Sequence, residues 1–219
     1  MLRFTALVFV VSLTGCIDAG DVRTSLPSRT ECVPISFCTY NFGALTPKVE
    51  PAEYSAKFRY IAEWPGVIID SSIRDEGGNG YVVPGFATKE SGAGIWWYWM
   101  MKRGNEFKGY DPQGSVTLRQ LAMNYAGSTD PSSASVQNYF IGYSSHAPKY
   151  FLRDVGLDDE VSLTSPDNVW NLARTMFHHE AGMRITDDVL SRSQFEKGIS
   201  LAEAHIAGQR VSVEDFIAE

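Results

Sequence analysis

The chain opens with Met1-Leu2-Arg3 and a largely apolar run from Phe4 to Leu13 that closes on Leu13-Thr14-Gly15-Cys16. About ten apolar residues fall short of the roughly twenty that a membrane helix needs, so this pattern predicts a signal peptide rather than a span. From Asp18 to about Glu50 the periodicity disappears and Ser, Thr, Pro and Gly dominate, which predicts a tether. Lys57 to Ile73 places Phe58, Tyr60, Val67, Ile68 and Ile69 around Pro65-Gly66, the pattern of two short strands or of a strand and an extended loop. Glycines and an asparagine make Asp75 to Gly85 a loop.

The remainder has helical periodicity. Gly94 to Arg103 is a dense apolar stretch that predicts a central buried helix, too short to cross a membrane. Thr117 with Gln120 forms a capping box ahead of Leu118, Leu121, Ala122 and Tyr125, spaced as one helix face. Ser135 to Tyr143 continues the bundle. Ser165 is a good N-cap, followed by Pro166 at the first helical position and Asp167 in the first turn. Val169, Leu172, Ala173, Met176 and Phe177 then share one side, and Gly182 ends the helix. A last helix opens at Ser191 with Gln194 and runs through Phe195, Ile199, Leu201 and Ala202. The fold class expected is mainly α (α+β), with a few short strands near the start of the domain. The domain boundaries expected are 1–15 for the signal peptide, 16–52 for the tether and 53–219 for the helical domain.

Cys16 changes the reading of the leader. Small residues ahead of an obligatory cysteine resemble the bacterial lipobox, and that resemblance implies lipidation and cleavage at Cys16; an ordinary secretory signal is the alternative. Several acyl chains on one residue anchor more firmly than one. The expected location is therefore the cell envelope or periplasm, lipid-anchored, and Ile17 rather than an aspartate after Cys16 points to the outer membrane. Cys32 and Cys38 flank Val-Pro-Ile-Ser-Phe in a compartment that allows disulfides, which predicts one small disulfide loop; metal binding by this pair is the weaker alternative. The formal charge is −7, and losing Arg3 with the leader lowers it by one more. An acidic chain without basic runs is not expected to bind nucleic acid, and its aromatic content argues for one folded domain.

Four blocks carry a family resemblance: Phe86 to Ile95, Thr117 to Ala122, Asn138-Tyr139-Phe140, and Asp167 to Gly182 with its Phe177-His178-His179-Glu180-Ala181-Gly182 ending. Together, over about Ile69 to Ala202, they resemble a phage virion-associated, peptidoglycan-degrading, lysozyme-like domain family that also occurs in interbacterial toxins. The resemblance implies a lysozyme-like fold and a wall-directed function. Two places depart from the family. Its Asn-Asn-Pro-Gly-Asn-Ile-Arg start reads Asp70-Ser71-Ser72-Ile73-Arg74 here, keeping Ile73 and Arg74, and its Pro-Glu-Ala-Gly-Ile reads Ser91-Gly92-Ala93-Gly94-Ile95, without the carboxylate.

Glycan cleavage needs a proton donor at the glycosidic oxygen and a second carboxylate or positioned water. Glu180 follows Met176 and Phe177 by four and three residues, which puts it beside the apolar face at the negative end of the helix dipole, where its pKa would rise. The competing role is a hydrogen bond to a neighbouring helix start. Glu76 sits in Arg74-Asp75-Glu76-Gly77-Gly78, which resembles the Asp-Glu-Gly and Glu-Gly-Gly starts of other lysozyme families, and is otherwise a solvated loop residue. Glu90 lies near the missing carboxylate but out of register.

Trp96, Trp97, Tyr98 and Trp99 belong either to the core or to a sugar platform, with Trp97 and Tyr98 the ones to reach a groove. Arg74 and His179 complete the substrate-binding set. His178 and His179 face different sides of a helix, and neither they nor His146 and His205 have ligand spacing, so no metal and no cofactor are expected. No Gly-x-Ser-x-Gly elbow supports a serine nucleophile.

The sequence therefore supports an envelope lipoprotein with a catalytically degenerate lysozyme-like domain. It would act by binding peptidoglycan glycan or a peptidoglycan-degrading protein, in immunity or phage exclusion, because an exported toxin or virion enzyme gains nothing from a tether to its maker. The alternative is an active muramidase that cleaves or remodels the wall.

Overall fold

A computed structural model describes residues 22–27, 38–45, 50–53, 59–74, 80–107 and 114–217, with backbone alone for 103–107. It is mostly helical with two short antiparallel strand pairs, as the periodicity predicts. The elements are helix α1 (Arg59–Ala62), strands β1 (Val67–Ile68) and β2 (Gly85–Phe86), helix α2 (Lys89–Phe107), strand β3 (Ser115–Thr117), helices α3 (Leu118–Ala126) and α4 (Ala134–Phe151), strand β4 (Glu160–Ser162), and helices α5 (Pro166–Ala181) and α6 (Arg192–Ile206).

Two expectations need correction. Over the described residues 59–73 only Val67–Ile68 is a strand, and Arg59–Ala62 is helical. The reason is local: Arg59 and Glu63 pair one turn apart at 2.6 Å, and Ile61 and Trp64 turn to the core on the same side. Gly66, at φ +77, then reverses the chain into β1. Nor are the strands confined to the start of the domain. β3, just before α3, pairs with β4, just before α5, in the register Val116↔Val161, and both valines are buried.

Helix α2 is the centre of the molecule. Ile95, Trp96 and Met100 have no exposed surface, and Trp96 meets Phe177 of α5 edge-on at 5.2 Å and Phe195 of α6 at 5.9 Å. The most extensive packing is α2 on α6, followed by α4 on α5 and α3 on α4. Helices α2 and α6 touch through glycine: a Cβ at Gly94 would stand 2.7 Å from the Gly198 carbonyl oxygen, and one at Gly198 would collide with that of Glu90. The capping signals are realised. Thr117 accepts from the Gln120 N–H and Ser191 from that of Gln194, each with the reciprocal glutamine bond, and Gly182 at φ +68 closes α5.

Residues 38–45, inside the segment expected as a tether, pack into the same core. Phe42 is buried against Phe177 at 5.6 Å, and the buried Asn41 amide is satisfied by Leu45 N–H and by the Leu45 and Pro84 carbonyls. Leu26 joins Ile73 and Val83 in a smaller cluster. Among the described residues no helix is long and apolar enough to cross a membrane.

Candidate functional site

The last turn of α5 carries the most perturbed acid among the described residues. Ser165 and Pro166 start the helix, and sixteen residues deliver Glu180 beside the buried Met176 and Phe177. Helix α4 closes over it with Tyr139 and Tyr143, four residues apart and so on one face. The Tyr139 hydroxyl hydrogen-bonds the carboxyl group, yet Oε1 is buried with no hydrogen-bond partner. Burial raises the Glu180 pKa to about 7, with the Tyr139 bond opposing. Burial also raises the Tyr143 phenol, and the Glu180 charge adds to it; the Tyr143 hydroxyl likewise has no partner. The carboxyl therefore keeps its proton below about pH 7, with two phenols nearby.

His179 packs beside it, between Tyr139 at 4.7 Å and Tyr143 at 5.5 Å, and lies so close to Gly142 that a Cβ there would overlap its ring. His178 stacks on His146 of α4 at 3.8 Å and 7°. The Tyr150 hydroxyl lies 2.9 Å from His178 Nδ1, and the same oxygen already accepts the Ile185 N–H at 3.2 Å. The Tyr150 hydroxyl thus bridges the His178 ring and the backbone beyond the end of α5. Burial lowers all three imidazoles, with His146 brought down to about 4 by burial, His178 and Lys149. Both adjacent histidines are half-buried against α4; the expected division into one core-facing and one solvent-facing ring does not hold.

The other expected site residues are dispersed. Arg74 holds its own loop together, donating to Gly80 O at 2.6 Å and Ser71 O at 3.1 Å and pairing with Glu50 at 3.2 Å. Tyr98 stacks on Trp64 at 5.6 Å and meets His205 edge-on at 5.3 Å. Glu90 is in the first turn of α2. Glu76, Cys16 and Cys32 lie outside the described residues, so the lipidation and the Cys32–Cys38 pairing remain proposals. No group of three or more His, Cys, Asp or Glu side chains suited to a metal is found among the described residues.

Trp97, from the expected set, lies on a cavity. It lines a cleft of about 1050 Å³ between α2, α6 and the start of α5, together with Met101, Val169, Phe195, Ile199 and Glu203. A shallower cavity of about 580 Å³ lies by Arg119, Phe140 and Ile141. Glu180 lines neither. Sequence reasoning missed Tyr139, Tyr143, Glu196 and Glu203. The first pair was signalled by the four-residue spacing on α4, and the second by the seven-residue spacing on α6. Comparison with protein-family models, curated proteins and solved structures finds no match for this chain.

Proposed function

We propose that the chain is a lipid-anchored envelope protein whose helical domain binds a wall component, glycan or a wall-degrading protein, and does not cleave the wall. The observation that carries this reading is the burial of the Glu180 Oε1 atom. A general acid must come within hydrogen-bond reach of the glycosidic oxygen, whereas in this partly buried residue Oε1 is buried and the Tyr139 hydroxyl occupies the carboxyl group. The place that holds a carboxylate in the resembling family gives a second support. Gly92 stands there, and a Cβ on Gly92 would collide with the Tyr40 carbonyl oxygen, so the fold leaves no room for any side chain.

A direct test is digestion of purified sacculi by an added muramidase, with and without the detergent-solubilised full chain. The binding reading predicts slower digestion in its presence and no clearing by the chain alone. Clearing by the chain alone would overturn it.

The second reading, an active muramidase, is favoured by one observation. Glu180 has its pKa raised to about 7, the direction that a proton donor at neutral pH requires. That reading also needs α4 to move off the carboxyl group.

A further inference from the structure

Among the described residues, the cleft beside Trp97 is lined mainly by apolar side chains, and its charged lining residues are both acidic. Trp97, Met101, Val169, Phe195 and Ile199 form the walls, and Ile206, 45% exposed, stands at one end. Glu196 and Glu203, seven residues apart on α6, supply carboxylates, and among the described residues no lysine or arginine lines the space. Arg192 outside it takes Glu196 at 2.7 Å, while Glu203 forms no ion pair among the described residues. At about 1050 Å³ the cleft is at the upper end of small-molecule pockets of roughly 300–1,000 Å³ and can admit several side chains of one helix.

We propose that this cleft is the docking site for an amphipathic, basic helical segment of a partner protein, with apolar side chains against Met101, Ile199 and Ile206 and a Lys or Arg at Glu203. This rests on the binding reading above and narrows its partner. Charge chooses between the two partner classes. Wall glycan carries carboxylates on its stem peptides, or on muramic acids that have lost them, which the acidic lining of a chain of formal charge −7 repels, and a basic segment is drawn to the same surface. An apolar stripe laid in a groove between helices is a common mode of peptide capture.

The test uses the full chain in detergent and three probes: a fluorescent amphipathic helix of Leu and Lys, the same helix with Glu for Lys, and a muramic-acid tetrasaccharide. The Leu/Lys helix should bind, more weakly as salt rises, and the Leu/Glu helix should not. Glu203→Lys should weaken binding about tenfold or more through like-charge repulsion. Ser200→Trp, placed at an exposed position of the lining, should fill the cleft and abolish binding while leaving the fold intact by circular dichroism. Equal binding of the two helices, or binding untouched by both substitutions, would overturn the proposal. Binding of the tetrasaccharide in place of the Leu/Lys helix would overturn it and leave the binding reading standing. Sacculus clearing by the chain alone would defeat the binding reading whatever the peptides do.

Discussion

At the scale of single residues, the burial of Glu180 ties stability to pH. Its carboxyl keeps a proton up to about pH 7 in the folded chain, against an ordinary value of 4.5. Between those values the folded state holds a proton that the unfolded state has lost. The stabilisation is therefore complete below 4.5 and is lost as pH rises through about 7, by up to about 3 kcal/mol. The three lowered histidines act in the opposite sense, losing stability as pH falls below their ordinary 6.5, so the difference between two proteins isolates the acid. Urea unfolding of wild type and Glu180→Gln from pH 5 to 8 should show the variant gaining on the wild type as pH rises; parallel profiles would mean that Glu180 is not desolvated. Gly142 is a second residue-scale determinant, because a Cβ there would overlap His179. Gly142→Ala should cost about 1–3 kcal/mol, and much of that should return in Gly142→Ala/His179→Ala if the ring is the cause.

At the scale of elements, legibility followed sequence distance. The caps at Thr117, Ser165 and Ser191 and the stop at Gly182 were readable because each is decided within four residues. The β3–β4 pair was not, because Val116 and Val161 become partners only when the helices between them fold back. Helix α1 was misread because β-prone aromatic and branched residues sit in a turn held by Arg59, Glu63 and the burial of Ile61. Of the site, Glu180 was legible as an acid on an apolar face; the phenols near it come from another helix, as do the opposing walls of the Trp97 cleft. Helix α4 ends on a strained residue, Leu152, which is left-handed at φ 53 and 89% exposed. Glycine relieves that strain and forfeits little burial. Leu152→Gly should thus raise stability by about 0.5–1 kcal/mol, seen as a higher thermal midpoint; a lower midpoint would show that the leucine is held by something more than the helix end.

At the scale of the whole molecule, a lipid anchor and an acidic binding domain make separate demands. Cys16 is the thiol that the lipobox resemblance assigns to lipidation. Cys16→Ala should abolish incorporation of labelled fatty acid and move the protein from the membrane to the soluble fraction; retention on the membrane would contradict the anchor.

The central claim is that the domain holds its target without cutting it. Release of reducing sugar ends from purified peptidoglycan by the full chain, measured beside Glu180→Gln, tests this most directly. The account predicts no release above background from either protein. Sustained release by the wild type that vanishes in folded Glu180→Gln would contradict it and make Glu180 a general acid.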